Sequence, residues 1–195
     1  METVRAINVV GCIIAGLVPF ATSFAKAKND LLHKTVQRAI PLIEKSTAVY
    51  VEKRDCFSCH HQALTVMALG RAKHSGYKVQ ADGVSTQSQF TLDYFHDRRK
   101  RLIKGEGVPG GPYSAGYALT GLSAAGEPGG DTIKALAEYL LKTQHKDGGW
   151  RIHTHRPPLE DSHLTATALA VRGLVGFADA ADRNESMDRA LAWLN

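Results

Sequence analysis

The chain has 195 residues, 44% of them hydrophobic and 22% charged, and its formal net charge is +5. This length suits one ordinary domain or part of a larger one, and the composition excludes a chain that is disordered over a long span. The positive charge is spread along the sequence except at residues 97–101, which we interpret as a solvated helix end. No nucleic-acid partner is expected, and association of this run with an anionic membrane surface stays open.

The N-terminus has the organisation of a signal peptide. Arg5 precedes an apolar run over residues 6–20, and Ser23 and Ala25 are small residues at the two positions that a signal peptidase reads. We therefore predict a signal peptide over residues 1–25, cleavage after Ala25 and export to the periplasm or the medium. Cys12 would leave with this peptide, and the mature chain, residues 26–195, would keep two cysteines in an oxidising compartment.

Those two cysteines lie in the run Cys-Phe-Ser-Cys-His-His at residues 56–61. Cys56, Cys59 and His60 match C-x-x-C-H, the pattern that attaches c-type haem. Two thiols at this spacing can add to the two vinyl groups of one haem, and the adjacent histidine can then ligate the iron. The motif predicts a covalent haem c for electron transfer or redox chemistry, with a redox partner protein.

Two other interpretations of the same residues remain open. Cys56, Cys59 and His61 could bind zinc together with Asp161 or His163, because thiolates and imidazoles are the ligands that zinc prefers. Cys56 and Cys59 could instead close as a disulfide, which exported thiol pairs tend to do. Either alternative would make the protein a repeat scaffold without haem.

The remainder of the mature chain predicts an all-α repeat. The stretches that begin at Met67, Tyr117 and Thr167 share the dipeptide Ala-Leu and are 50 residues apart. Each follows a polar or Gly/Pro-rich loop. These stretches predict buried inner helices. Amphipathic outer helices are predicted over residues 31–53, 85–102 and 131–143 and from residue 186 onward. Asp131 is predicted to cap the third outer helix, and Asp161 or Ser162 is predicted to cap the last inner helix. The fourth outer helix has barely begun when the sequence ends, so we expect a domain that is truncated at its C-terminus.

Residues 140–150, Leu-Leu-Lys-Thr-Gln-His-Lys-Asp-Gly-Gly-Trp, resemble the QW motif of the squalene–hopene cyclase and protein prenyltransferase superfamily. The resemblance implies a partial α/α-toroid of alternating outer and inner helices over about residues 35–195, in which Gln144 and Trp150 tie one outer helix to the next. It extends to exported bacterial repeat proteins with a Cys-x-Ser-Cys-His-His-Gln segment, matched here at residues 56–62.

The resemblance also implies where chemistry would lie. Functional groups of this superfamily lie at the N-terminal ends of inner helices, which here are residues 56–61, 109–114 and 160–163, so these three segments are expected to converge. A terpenoid cyclase or prenyltransferase-type enzyme acting on an apolar isoprenoid is the function implied by analogy. Of the acidic cluster that cyclases use, only Asp161 remains, and it is the one catalytic candidate.

Overall fold

A computed structural model of the protein describes residues 8–157 and 160–195, and side chains from residue 29 onward within those ranges. The predicted signal peptide begins in residues 1–7, which lie outside the described residues, and the side chains at its cleavage position lie outside them too. Over the described ranges the chain is helical and contains no strand, so the all-α prediction is confirmed. None of the helices described has the length and apolar character needed to cross a bilayer.

The chain divides into two compact units, residues 1–41 and residues 42–195. The first unit is helical from Asn8, and helix α1 (Asn8–Lys53) supplies residues to both. In the second unit a single turn of π-helix, Cys59–Ala63, leads into α2. The other helices are α2 (Leu64–His74), α3 (Gly83–His96), α4 (Arg99–Lys104), α5 (Gly111–Ala125), α6 (Asp131–Thr143), α7 (His163–Phe177) and α8 (Ala180–Leu194).

The helices of the second unit form an inner row and an outer row. Helices α2, α5 and α7 are neighbours in the inner row, with α5 packed between the other two. In the outer row, α3 and α4 contact α6, while α8 packs on α7. The three helices of the inner row contain the three Ala-Leu stretches of the 50-residue repeat. Helix α5 is buried over nearly its whole length, as predicted, whereas α2 and α7 are buried along one face and keep exposed residues such as Ala68 and Val175.

The inner helices approach one another closely because glycines face their contacts. A Cβ atom at Gly116 of α5 would lie 2.9 Å from the carbonyl carbon of Leu169 in α7. Across the same contact, a Cβ atom at Gly173 of α7 would lie 2.9 Å from the Cβ of Leu119. Both distances are shorter than any ordinary carbon–carbon contact, so only glycine fits at these two positions without a shift of the helices.

Gln144 joins two outer helices, and Trp150 joins the loop after α6 to α6 and α7. The side-chain amide of Gln144 donates hydrogen bonds to the carbonyl oxygens of Gly148 and Ser186, each at 2.8 Å, and its oxygen accepts one from the Ser186 hydroxyl at 3.0 Å. The buried indole of Trp150 donates to the carbonyl oxygen of Leu140 at 2.8 Å. Gln144 thus connects the end of α6 to α8, which is the role that the QW-like sequence implied for it.

Three predicted details of the helices are wrong. Helix α6 spans the predicted residues, but its N-cap is Gly130, and Asp131 instead pairs with Arg99 at 3.1 Å. The predicted helix over residues 85–102 is broken into α3 and α4. At the break, the Arg98 guanidinium donates to the carbonyl oxygen of Tyr94 at 2.7 Å and lies on the Tyr94 ring, occupying an acceptor that a continuous helix would use. The last outer helix begins at Ala180 rather than at residue 186.

The close approach of α5 and α7 predicts a sharp contrast between two glycine substitutions. Gly116→Ala should lower the free energy of unfolding by about 1–3 kcal/mol, because the added methyl group meets the backbone of α7. Gly83→Ala, where the nearest atom would lie 3.8 Å away, should leave stability unchanged or slightly raised. Urea denaturation of both variants measures the difference, and equal stabilities would contradict the packing described here.

Candidate functional site

A cavity of about 340 Å³ lies where the N-terminal ends of the three inner helices meet. The convergence expected for residues 56–61, 109–114 and 160–163 is confirmed, since all three segments contribute to its wall. The lining residues are Tyr50, Cys56, Phe57, Ser58, Cys59, His60, Tyr94, Pro109, Tyr113, Ser114, Arg156 and Glu160. We call this space the thiol cavity.

Local hydrogen bonds fix the turn that carries the two cysteines. The Ser58 hydroxyl accepts from the backbone N–H of His61 at 3.3 Å, while the Ser58 N–H donates to the side-chain oxygen of Gln62 at 2.7 Å. This reciprocal arrangement resembles a capping box. Gln62 is fully buried and also donates to Gln87 of α3 at 3.3 Å, so the turn is held against the outer row. The π-helical turn that follows is a rare local structure that often occurs at functional sites.

The two thiols are free and lie in different surroundings. Cys56 is exposed, and its Sγ lies 3.1 Å from the Tyr50 hydroxyl. Cys59 is partly buried, and burial raises the pKa of its thiol to about 12; the nearby Glu160 raises it further, and a hydrogen bond with Ser114 opposes the shift. Cys59 is therefore a neutral thiol inside the cavity, and Cys56 is the accessible one.

The two adjacent histidines serve different cavities. His60 is exposed at the edge of the thiol cavity, and its Nδ1 lies 3.2 Å from the Ser58 hydroxyl. His61 is stacked on Tyr50, with ring centroids 4.3 Å apart, and lines a separate pocket beside Lys53 and other basic residues. Burial and the neighbouring His60 lower the pKa of His61. Of these two histidines, only His60 lines the same cavity as the two thiols.

The predicted zinc ligands are not assembled. His61 faces the other pocket, and the Nδ1 of His163 accepts a hydrogen bond from the backbone N–H of Ile152 at 3.1 Å. Asp161 is exposed and lies 2.9 Å from the Nδ1 of His155, outside the set of cavity residues. Over the described ranges, no three histidine, cysteine or acidic side chains are grouped so as to hold a metal ion. Ser162, rather than Asp161, caps α7.

Sequence reasoning missed an ion pair in the cavity wall. Glu160 is only 4% exposed, and its carboxylate accepts a hydrogen bond from Nε of Arg156 at 2.6 Å and another from the Thr154 hydroxyl. The pairing with Glu160 raises the pKa of Arg156. The sequence feature that indicated this ion pair was the spacing of Arg156 and Glu160, two opposite charges four residues apart in a short loop. Burial of Glu160 was not predictable from the sequence, because charged loop residues are ordinarily solvated.

Tyr113 contributes a buried hydroxyl that has no hydrogen-bond acceptor in the described part of the chain. Its side chain is 2% exposed and lines the thiol cavity, and its hydroxyl makes no hydrogen bond within the described part of the chain. Burial raises the pKa of Tyr113, so the hydroxyl keeps its proton. An unsatisfied buried hydroxyl costs about 1–3 kcal/mol. A molecule that offered it an acceptor would recover part of this cost.

Comparison with protein-family models finds no match, and no solved structure matches the chain. The candidate site is therefore defined by its own chemistry. It brings two free thiols and an imidazole to one cavity, walled by aromatic rings and closed on one side by an ion pair.

The contrast between the two thiols predicts different alkylation rates. At pH 8, iodoacetamide should modify Cys59 at least about tenfold more slowly than Cys56, because the thiolate is the reacting form and Cys59 is both shielded and protonated. Peptide-resolved mass spectrometry measures the alkylation rate of each cysteine separately, so that modification of Cys12 is not counted with that of the other two. The same measurement in urea is the control, where the two rates should become equal; equal rates in the folded chain would refute the assignment.

The same pKa shift predicts how stability depends on pH. The Cys59 thiol ionises near 9.0 when unfolded but near 12 when folded, so unfolding releases its proton in that window. The contribution of Cys59 to stability should be complete below pH 9 and fall as the pH rises toward 12. Urea denaturation of the wild type and Cys59→Ala between pH 8 and pH 11 tests this, and a pH dependence that is unchanged by the substitution would contradict it.

Proposed function

We propose that this protein carries a covalent c-type haem, with Cys56 and Cys59 as thioether attachments and His60 as the axial iron ligand. The observation that supports this most directly is that both thiols are free and line one cavity together with His60. When bound, haem supplies one-electron redox chemistry. The proposal makes the protein a redox or electron-transfer module with a redox partner protein.

The cavity residues suit such a group in three respects. Phe57, Tyr94 and Tyr113 give the wall an aromatic character that an apolar macrocycle can pack against. The Tyr113 hydroxyl is a buried donor that awaits an acceptor. Both cysteines line the cavity, Cys59 partly buried and Cys56 exposed, so the two attachment points lie at different depths of its wall.

The chain's own residues would hold His60 ready for iron. The Ser58 hydroxyl lies 3.2 Å from Nδ1 of His60 and 3.3 Å from Nδ1 of His61, and the Nε2 of His60 has no hydrogen-bond partner among the described residues. A hydrogen bond at one ring nitrogen selects the tautomer and the orientation of the ring, and so favours ligation through the other nitrogen. Ser58 also caps the turn, so one side chain supports both the backbone and the ligand.

The alternative functions have less support from the site. For zinc, His61 and His163 are engaged elsewhere, at Tyr50 and at the backbone of Ile152. For a terpenoid cyclase or prenyltransferase-type enzyme acting on an isoprenoid, the one catalytic candidate, Asp161, is exposed and does not line the cavity, and the acid that does line it, Glu160, is held in an ion pair with Arg156. A disulfide between the two thiols remains the outcome to distinguish from haem.

We also propose that the two helical rows are part of an α/α-toroid and that the protein is exported. The alternation of inner and outer helices and the Gln144 connection between α6 and α8 support the toroid. The apolar run over residues 6–20 and the small residues Ser23 and Ala25 support export, and covalent haem c attachment fits an exported chain.

The haem proposal predicts a specific pattern of spectra. Expressed in a periplasm with cytochrome c maturation, the full chain should give a c-type pyridine haemochrome band, and Cys56→Ala/Cys59→Ala should abolish covalent haem. His60→Ala should change the native haem absorption spectrum, because it removes the axial ligand, whereas His61→Ala is the matched control and should retain it.

Absence of any haem band in the wild type would refute the proposal. Mass spectrometry of the same sample then separates the alternatives. A mass two hydrogens lower than the free-thiol form indicates a disulfide, and metal analysis detects zinc. The same change of the spectrum in both His60→Ala and His61→Ala would leave the axial ligand unassigned and contradict the role given to His60.

Export predicts the N-terminus of the mature protein. The form recovered from the periplasm should begin at Lys26, because Ser23 and Ala25 present small side chains to the peptidase. Intact-mass measurement identifies this end. Ala25→Arg is expected to block cleavage and leave the longer form, whereas Lys26→Gln should be processed normally. A wild-type protein that retains residues 1–25 would contradict the prediction.

A further inference from the structure

The ion pair in the wall of the thiol cavity has no role in the proposed function. Among the described residues that line this cavity, Glu160 is the only carboxylate and Arg156 the only guanidinium. The carboxylate of Glu160 accepts a hydrogen bond from Nε of Arg156 at 2.6 Å and another from the Thr154 hydroxyl. Two donors therefore fix the position of the carboxylate in the cavity wall.

The two partners of this ion pair differ in their exposure to solvent. The side chain of Glu160 is 5% exposed, whereas that of Arg156 is 62% exposed. Water screens the charge of an exposed group, while a buried charge acts through a medium of much lower dielectric constant. The positive charge of Arg156 therefore offsets only part of the field of Glu160, and the net potential inside the cavity is negative.

The charge of Glu160 acts on a group across the cavity. Tyr113 lines the cavity from α5, whereas Glu160 lies in the loop that leads into α7. Burial is the main cause of the raised pKa of Tyr113, and the negative charge of Glu160 adds to it. The field of the carboxylate thus extends from the α7 side of the cavity to the α5 side.

The next residue along the chain carries the same charge in different surroundings. Asp161 is exposed, lies 2.9 Å from the Nδ1 of His155 and does not line the cavity. Solvent screens its charge, and long-range interactions of exposed charges are weak at ordinary ionic strength. The two neighbouring carboxylates therefore separate an effect of buried charge from an effect of total charge.

We propose that Glu160 lowers the reduction potential of the haem bound in the thiol cavity. This inference rests on the proposed function and adds the residue that tunes its redox reaction. On reduction the haem takes up one electron from the redox partner, no bond breaks and no proton moves, and the charge at the iron falls by one. A buried negative charge in the same cavity favours the more positive, oxidised form. Arg156 limits this effect, because it offsets part of that charge.

The test is a spectroelectrochemical titration of the haem-loaded full chain at constant ionic strength. Glu160→Gln should raise the reduction potential. At a fixed applied potential, the ratio of reduced to oxidised haem should increase about tenfold, which corresponds to about 59 mV for a one-electron couple. Glu160→Asp keeps the charge and should stay close to the wild type. Arg156→Gln should shift the potential downward, because the carboxylate loses its counter-ion.

Asp161→Asn is the matched control. It removes the same charge one residue away, outside the cavity, so the potential should be unchanged. Equal shifts in Glu160→Gln and Asp161→Asn would overturn the inference, as would an unchanged potential in Glu160→Gln. If circular dichroism shows that Glu160→Gln is unfolded, Arg156→Gln decides: a downward shift supports the inference, and no shift or an upward shift overturns it.

Failure of the proposed function gives a different result from failure of this inference. A wild-type protein without a haem band refutes the haem proposal, and the inference falls with it. A wild-type protein that carries haem, and whose potential is insensitive to Glu160→Gln, refutes only the role given to Glu160.

Discussion

The structure depends on the close packing of α5 between its two inner neighbours. Gly116 and Gly173 allow α5 and α7 to approach to within backbone contact. On the other side of α5, a Cβ atom at Gly121 would lie 3.1 Å from the Cα of Ala63, the last residue of the π-helical turn that carries Cys59. Because protein interiors are packed as densely as crystals, a shift of one inner helix would displace the others. The three helix ends that form the thiol cavity are therefore positioned by contacts far along the helices.

This packing explains why polar groups collect at one end of the inner row. The middle of α5 offers mostly small or apolar side chains, with Thr120 as a buried polar one, and nearly all of that helix is buried. Groups with a charge or a lone pair, such as Ser114, Arg156 and Glu160, lie instead at the helix ends and in the loops that lead into them. Cys59 lies between the apolar interior and these polar helix ends, and its burial keeps its thiol protonated.

A second cavity, of about 580 Å³, lies on the other side of the loop over residues 105–111 and shares structural supports with the thiol cavity. Pro109 lines both cavities, and Thr154, which lines the second one, donates a hydrogen bond to Glu160 in the wall of the thiol cavity. The thiol cavity also holds Tyr113, a buried tyrosine whose hydroxyl lacks a partner in the described chain. A buried donor of this kind is costly unless a bound molecule satisfies it.

The sequence by itself determined the helical class, the 50-residue repeat and the grouping of Cys56, Cys59 and His60, because periodicity and motif spacing are local properties of the chain. It also predicted the bounds of α6 and the convergence of the inner helix ends. Only the tertiary structure decided which of two adjacent histidines lies beside the thiols, that Asp161 is outside the cavity, and that Glu160 and Tyr113 are inside it. The break between α3 and α4 was equally hidden, because it depends on one arginine that folds back onto Tyr94. Burial and side-chain direction arise from contacts between distant segments, and no local pattern encodes them.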